Sequence, residues 1–165
     1  MSQLWRRIYK LASRHVLTRT DARHVMPTLA HSQEDLVPSA FLVDLAARVI
    51  PRAFDTVLTC GKPDLPDSAF FNTFPGEHYR LLAACVAELG AASVVEIGTW
   101  TGQGTVALAS ALPEGGRVTT FDIVAWDRLG VPSHLTEADF TSGRVSQELA
   151  DLSDPALFER HRDLL

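Results

Sequence analysis

The chain has only two cysteines in 165 residues, and neither Cys60 nor Cys85 sits in a metal-ligand spacing. A disulfide framework and a cysteine-based metal centre are thereby excluded, and a reduced cytoplasmic setting is the simplest expectation. No apolar run approaches the roughly 18 residues of a membrane-spanning helix, so stable membrane insertion is not expected. Internal repeats and low-complexity tracts are also missing, which leaves one domain's worth of chain. Hydrophobic residues make up 46% and charged residues 21%, the proportions of a globular protein with a real core.

The net charge of −5 hides an asymmetry. Residues 1–30 carry Arg6, Arg7, Lys10, Arg14, Arg19 and Arg23 against the single acid Asp21. Leu4, Trp5, Ile8, Leu11 and Val16 share one helical face there, which predicts a basic amphipathic helix. Such a helix docks on its own acidic domain, binds an acidic partner or membrane surface, or serves as an organellar presequence. No later segment extends the basic patch, so nucleic acid is not an expected partner.

Glu34 to Phe54 has the pattern of a second amphipathic helix, with Pro51 marking its end or a kink near it. Residues 55–75 form a loop rich in Pro and Asp, whose adjacent phenylalanines are expected to pack back onto the domain. Gly76 to Leu89 is helical, with Tyr79, Leu82, Cys85, Val86 and Leu89 at helical spacing and Gly90 as the C-terminal cap. Strands are expected at Ser93–Ile97, Arg117–Ile123 and Arg144–Ala150. A helix from Gly104 to Leu112 separates the first two, and residues 125–143 are irregular or weakly helical. Asp154 caps a last helix begun by Pro155 and running to the end of the chain. This alternation predicts an α/β fold, a Rossmann-like parallel sheet with flanking helices.

Within that frame, Ser93-Val-Val-Glu-Ile-Gly-Thr-Trp-Thr-Gly-Gln-Gly-Thr105 reads as a buried strand, an acid at its end, a glycine-rich turn and a helix start. Chains use this arrangement to bring backbone close to a small ligand at a helix N-terminus. Three carboxylates, Glu96, Asp122 and Asp151, fall at the C-terminal ends of the three strands, where an open parallel sheet forms its ligand crevice. Asp122 is placed to accept from two ribose hydroxyls, and Asp151 to receive an adenine amino group, unless it merely closes the turn before Asp154. The dinucleotide fingerprint G-x-G-x-x-G fails from Gly98, because Trp100 and Gln103 replace its second and third glycines. A variant beginning at Gly102 starts several residues beyond the strand. Glu96 would also oppose a pyrophosphate by about 4 kcal/mol per charge pair at contact and favour a cation equally. S-adenosylmethionine, with its sulfonium and ammonium, suits such a site.

Val94-Val-Glu-Ile-Gly-Thr-Trp-Thr-Gly102 resembles the first motif of class I S-adenosylmethionine-dependent methyltransferases, and Val118-Thr-Thr-Phe-Asp122 resembles their acidic second-strand motif. The aromatic Trp100 brings the loop closest to the catechol and caffeoyl-CoA type O-methyltransferases. The resemblance covers roughly residues 76–152. It implies S-adenosylmethionine as cofactor, Glu96 at the methionine end, and Gly98, Thr99, Trp100 and Gly102 in the cofactor loop. Gly104 stands where that subgroup often has serine. Asp122 would take the ribose and Asp151 the adenine side, and the acceptor would be a small molecule methylated at oxygen.

Methyltransferase sheets of this family usually have seven strands, of which only strands one to three are expected here. The sequence therefore predicts an incomplete domain: a helical N-terminal extension and loop over 1–75, then a partial methyltransferase domain over 76–165. Strand one would then be a sheet edge, open to a partner chain or oligomer. His78, Glu77 and His134 are the candidate bases, none with a catalytic assignment, and no metal ligands are assigned. The rival readings are a non-catalytic fragment acting through its basic N-terminal helix, and a nicotinamide-dependent oxidoreductase.

Overall fold

The computed structural model describes residues 39–59, 61–74 and 76–165. The basic helix expected within residues 1–30 lies outside the described residues. The chain divides into two units, Met1–Phe41 and Leu42–Leu165, and the sheet with its flanking helices belongs to the second. Among the described residues, no helix is long and apolar enough to cross a membrane.

Helix α1 spans Ala40–Asp55 and contains Pro51 in its interior rather than at its end. A proline there removes one backbone hydrogen bond, yet the helix is pinned on both sides of it. Arg48 and Arg52 each reach Glu88, at 2.7 and 2.9 Å, and Val49 is buried between them. The loop that follows is organised by Asn72, whose side chain accepts from the Leu58 amide and donates to the Leu58 carbonyl, both at 2.8 Å. A 3-10 turn at Ser68–Phe71 inserts one phenylalanine, Phe71, completely into the core. Phe71 lies against Tyr79 and edge-on to His134. Phe74 remains 81% exposed, so the expectation of inward packing holds for only part of the aromatic run.

Helix α2, Glu77–Leu89, ends at Gly90, whose φ of 58° is the left-handed conformation the glycine cap requires. Strand β1 is Ser93–Ile97, helix α3 Gln103–Ser110, strand β2 Arg117–Asp122, helix α4 Glu137–Thr141, strand β3 Val145–Leu149 and helix α5 Pro155–His161. The strands form a parallel sheet in the order β1-β2-β3. This is the Rossmann-like α/β arrangement of strands one to three, with β1 at one edge of the described sheet. Helix α3 stops at Ser110 instead of Leu112, because the amides of Ala111 and Leu112 bond three residues back rather than four. Asp154 caps α5 through the Ala156 amide at 2.8 Å, but α5 closes at His161, short of the chain end.

Register fixes which side chains share a face. Val94, Val118 and Val145 are lateral partners. They meet Val86 of α2 and Leu108, Ala109 and Leu112 at α3 in one hydrophobic cluster. Two residues further along the strands, the next row on that face is polar: Glu96, Thr120 and Gln147. The apolar row packs the helices, and the polar row begins where the strands open toward the loops.

Candidate functional site

The loop after β1 turns sharply around two residues with positive φ, Gly98 at 94° and Trp100 at 43°, before Gly102 at 82° caps α3. Trp100 is a non-glycine residue in the left-handed region, at a cost of about 1–2 kcal/mol. Its support is Asp122, whose Oδ2 accepts the Trp100 amide at 2.9 Å while Oδ1 accepts Val124 at 3.1 Å. Gly102 combines positive φ with close approach: a Cβ there would lie 2.4 Å from Cγ of the fully buried Leu135. Gly104 makes a close approach of another kind, since a Cβ there would displace Glu96 Oε1. A serine at 104 would compete with the carboxylate for one position.

Four amides of this loop are used within the protein. Gly98 and Thr99 both donate to the Phe121 carbonyl, Trp100 to Asp122, and Gly102 to the Thr99 carbonyl. A phosphate cradle needs such amides aimed at the ligand. Here the loop shapes the site and ties β1 to β2, and carboxylates supply its polar character.

Glu96 is half-buried, and its Oε2 accepts hydroxyls from Thr105 at 2.5 Å and Thr120 at 2.7 Å. Burial pushes its carboxyl above the ordinary glutamate range; the two hydroxyls oppose that rise and the charge of Asp122 adds to it. Asp122 moves the other way. Burial opposes its ionisation, but the amides of Trp100, Val124, Ile123 and Thr99 outweigh burial and hold it below the usual carboxylate range. Asp151 is exposed and lowered by the Ser153 hydroxyl and amide, both of which donate to Oδ1 at 2.6 and 2.9 Å. It thus does close the turn before Asp154, while one face of the residue borders the crevice.

A pocket of about 250 Å³ opens at the strand ends, lined by Ile97, Gly98, Phe121, Asp122, Ile123, Ala150, Asp151, Leu152 and Ser153. The structure therefore brings Gly98, Asp122 and Asp151 around one space, with Trp100 bonded to Asp122. Thr99, Gly102, Gly104 and Glu96 do not line this pocket; they lie where β1 and its loop meet the start of α3. Apolar walls from Ile97, Ile123 and Leu152, with acids at the rim, suit a flat heterocycle carrying hydroxyl and amino donors.

The candidate bases are not part of this space. His134 is fully buried, with Nε2 2.9 Å from Asp67 Oδ1. Together with Lys62, which donates to the Ser133 and Leu135 carbonyls, it fastens the loop before α2 to the loop after β2. Glu77 and His78 line a separate apolar pocket with Ile50, Ala53, Phe54 and Leu81. Among the described residues no group of three or more His, Cys, Asp or Glu side chains is placed to hold a metal ion. Sequence reasoning missed Thr105, Thr120 and Gln147, all polar and all turned toward Glu96 or its hydroxyl partners. For Thr120 and Gln147 the available signal was their place in strand register, two positions beyond Val118 and Val145 on a face otherwise apolar; Thr105 is in α3 and carried no such signal.

No curated protein matches the chain. Residues 72–131 match the family model described as O-methyltransferase. That segment begins just after the 3-10 turn and runs through α2, β1, the glycine loop, α3 and β2, and so contains Glu96, Gly98, Thr99, Trp100, Gly102, Gly104 and Asp122. Over residues 72–131 the chain is thus similar to the O-methyltransferase family, and the parallel sheet order is the one expected of such a Rossmann-like fold.

Proposed function

We propose that the protein is an S-adenosylmethionine-dependent methyltransferase acting at oxygen on a small-molecule acceptor. The single observation that carries the cofactor assignment is Glu96. It is a half-buried carboxylate whose two hydroxyl donors share one oxygen, and it forms no ion pair among the described residues. A buried anion in that state gains most from a cationic ligand group. In this reading Glu96 holds the ammonium at the methionine end, and Gly98, Thr99, Trp100, Gly102 and Gly104 shape the loop around it. Asp122 takes the ribose hydroxyls, since each of its oxygens keeps a lone pair beyond the amide it already accepts. Asp151 lies on the adenine side. When bound, S-adenosylmethionine supplies a methyl group on a sulfonium, open to in-line attack by an acceptor oxygen. The chain's own contribution is to bind, orient and shield the reacting groups. A dinucleotide is disfavoured because its pyrophosphate would meet the like charge of Glu96.

The test is a titration of the ¹⁵N-labelled chain with S-adenosylhomocysteine, followed by amide chemical shifts. Shifts are expected at 96–104, 122–124 and 151–153, with none at those positions from NAD at equal concentration. Perturbations confined to other surfaces would refute the assignment.

Proton competition gives a second expectation. Glu96 must be ionised to hold a cation, so affinity should fall as pH drops through its raised pKa. Folding stability should respond oppositely. Because the folded-state pKa of Glu96 lies above its unfolded value, this residue's contribution favours folding below the unfolded pKa and declines as pH rises toward the folded one. Glu96→Gln should therefore leave stability at neutral pH unchanged or slightly raised, while weakening ligand binding by about 10- to 100-fold. Urea denaturation and calorimetric titration of the same preparation would separate the two.

A further inference from the structure

Glu96, Thr120 and Gln147 are lateral partners on three adjacent strands, and Thr99 folds back over them from the glycine loop. Gln147 Nε2 donates to Thr99 Oγ1 at 2.9 Å, the Thr99 and Thr120 hydroxyls are 2.9 Å apart, and Thr120 donates to Glu96 Oε2 at 2.7 Å. Both threonines are buried.

The direction of this chain is fixed by proton count. A hydroxyl has one proton to give. Thr120 gives its proton to Glu96, so it accepts from Thr99; Thr99 has then spent its own and accepts from Gln147. The orientation of the Gln147 amide is fixed independently. Its Oε1 accepts the Trp126 amide at 2.9 Å, and its Nε2 also donates to the Val124 carbonyl at 3.2 Å. A backbone N–H can only donate and a carbonyl can only accept, so the reverse amide orientation would break both bonds.

We propose that Gln147 is a positioning residue for the ligand-binding carboxylate, acting through a one-way hydrogen-bond relay, Gln147 to Thr99 to Thr120 to Glu96. The relay occupies Oε2 and leaves Oε1, the oxygen over Gly104, outside it. Were Glu96 protonated, the hydroxyls could turn around as far as Thr99, but the Gln147 amide nitrogen cannot accept and stops the reversal there. The relay therefore favours the carboxylate over the acid and offsets part of the burial that raises its pKa. It also links the loop at 124–126, which orients Gln147, to the charge at the end of β1. The other titratable groups that share this carboxylate's field are Asp122 on β2 and the Tyr79 phenol on α2. Helix α3 contributes only the Thr105 hydroxyl, for it carries no ionisable side chain.

The inference rests on Glu96 as the residue that holds the ligand's cation, but its test needs no ligand. The Glu96 side-chain carboxyl can be titrated by ¹³C NMR in the free 165-residue chain and in Thr120→Val, Thr120→Ser and Gln147→Met. Losing a hydrogen bond to a charged group should raise the Glu96 pKa by about one unit in Thr120→Val. Gln147→Met, two bonds more distant, should raise it by a few tenths, about the fraction passed along a polarised chain. Thr120→Ser keeps the hydroxyl and should restore the wild-type value, which a role in packing alone would not predict. S-adenosylhomocysteine affinity should fall in the same order. An unchanged Glu96 titration in Gln147→Met, with Thr120→Val shifted, overturns the role of Gln147. If the titrations move as stated but wild type binds no S-adenosylhomocysteine, the cofactor reading fails and the relay stands.

Discussion

Gly102→Ala should lose about 2–5 kcal/mol of folding stability, the sum of a left-handed backbone imposed on an L-residue and an overpacked contact. The two terms come from one position. Its φ is 82°, and the added methyl would meet Cγ and Cδ1 of Leu135 at 2.4 and 2.8 Å. Leu135 has no exposed surface into which to retreat, and its neighbours on either side are fastened. Thr136 is capped by Asp139 at 2.7 Å and His134 is tied to Asp67. The same methyl on Gly90, also left-handed but with nothing within 4 Å, should cost only the backbone term. Urea denaturation of both variants checks this: the Gly102 variant should unfold at clearly lower denaturant. Equal midpoints would mean that Leu135 yields, and that the loop is less tightly packed than its contacts indicate.

Asp122→Asn should weaken S-adenosylhomocysteine binding by about 10- to 100-fold, because a carboxamide keeps one acceptor oxygen where two are used. In the wild type, Oδ2 holds Trp100 and Oδ1 holds Val124. An asparagine must turn its NH₂ toward one of those amides, leaving that N–H without an acceptor. If Trp100 is the one abandoned, its left-handed backbone loses its anchor and the loop relaxes. The ribose would lose its acceptor in the same step. Lowering the pH should produce a milder version in the wild type. The folded-state pKa of Asp122 is depressed, so its contribution to stability is present above the unfolded pKa and is lost as pH falls through the folded one. Calorimetric titration, with tryptophan fluorescence reporting on the loop, would read both effects. Unchanged affinity in Asp122→Asn would remove this residue from the ligand site.

These expectations depend on features with unequal visibility in the sequence. Strand β1 is found at its expected bounds, and β2 and β3 differ from theirs only at the ends. Short apolar runs flanked by glycine, proline and acids leave few alternatives for a parallel strand. The cap at Gly90 and the start of α5 at Asp154–Pro155 are legible too, because each depends on residues adjacent in the chain. Pro51 is misleading. Its local rule is sound, but the Arg48 and Arg52 bonds to Glu88 form between residues about forty positions apart, and they hold the helix through it.

The sequence by itself determined the α/β alternation, the glycine turn and the acids at the strand ends, since all follow from local pattern and the two-residue period of a strand. Those acids, with the motif around Glu96, also pointed to S-adenosylmethionine. Tertiary structure alone decided how each acid is used. Glu96 is half-buried beneath α3 with two hydroxyls on one oxygen, Asp122 braces Trp100, and Asp151 closes a turn at the pocket rim. It also tied the amides of Gly98, Thr99, Trp100 and Gly102 into the protein and enclosed His134 with Asp67. Hydrogen-bond direction and desolvation depend on which chains lie side by side, and only the sheet register and the packing of α3 establish that.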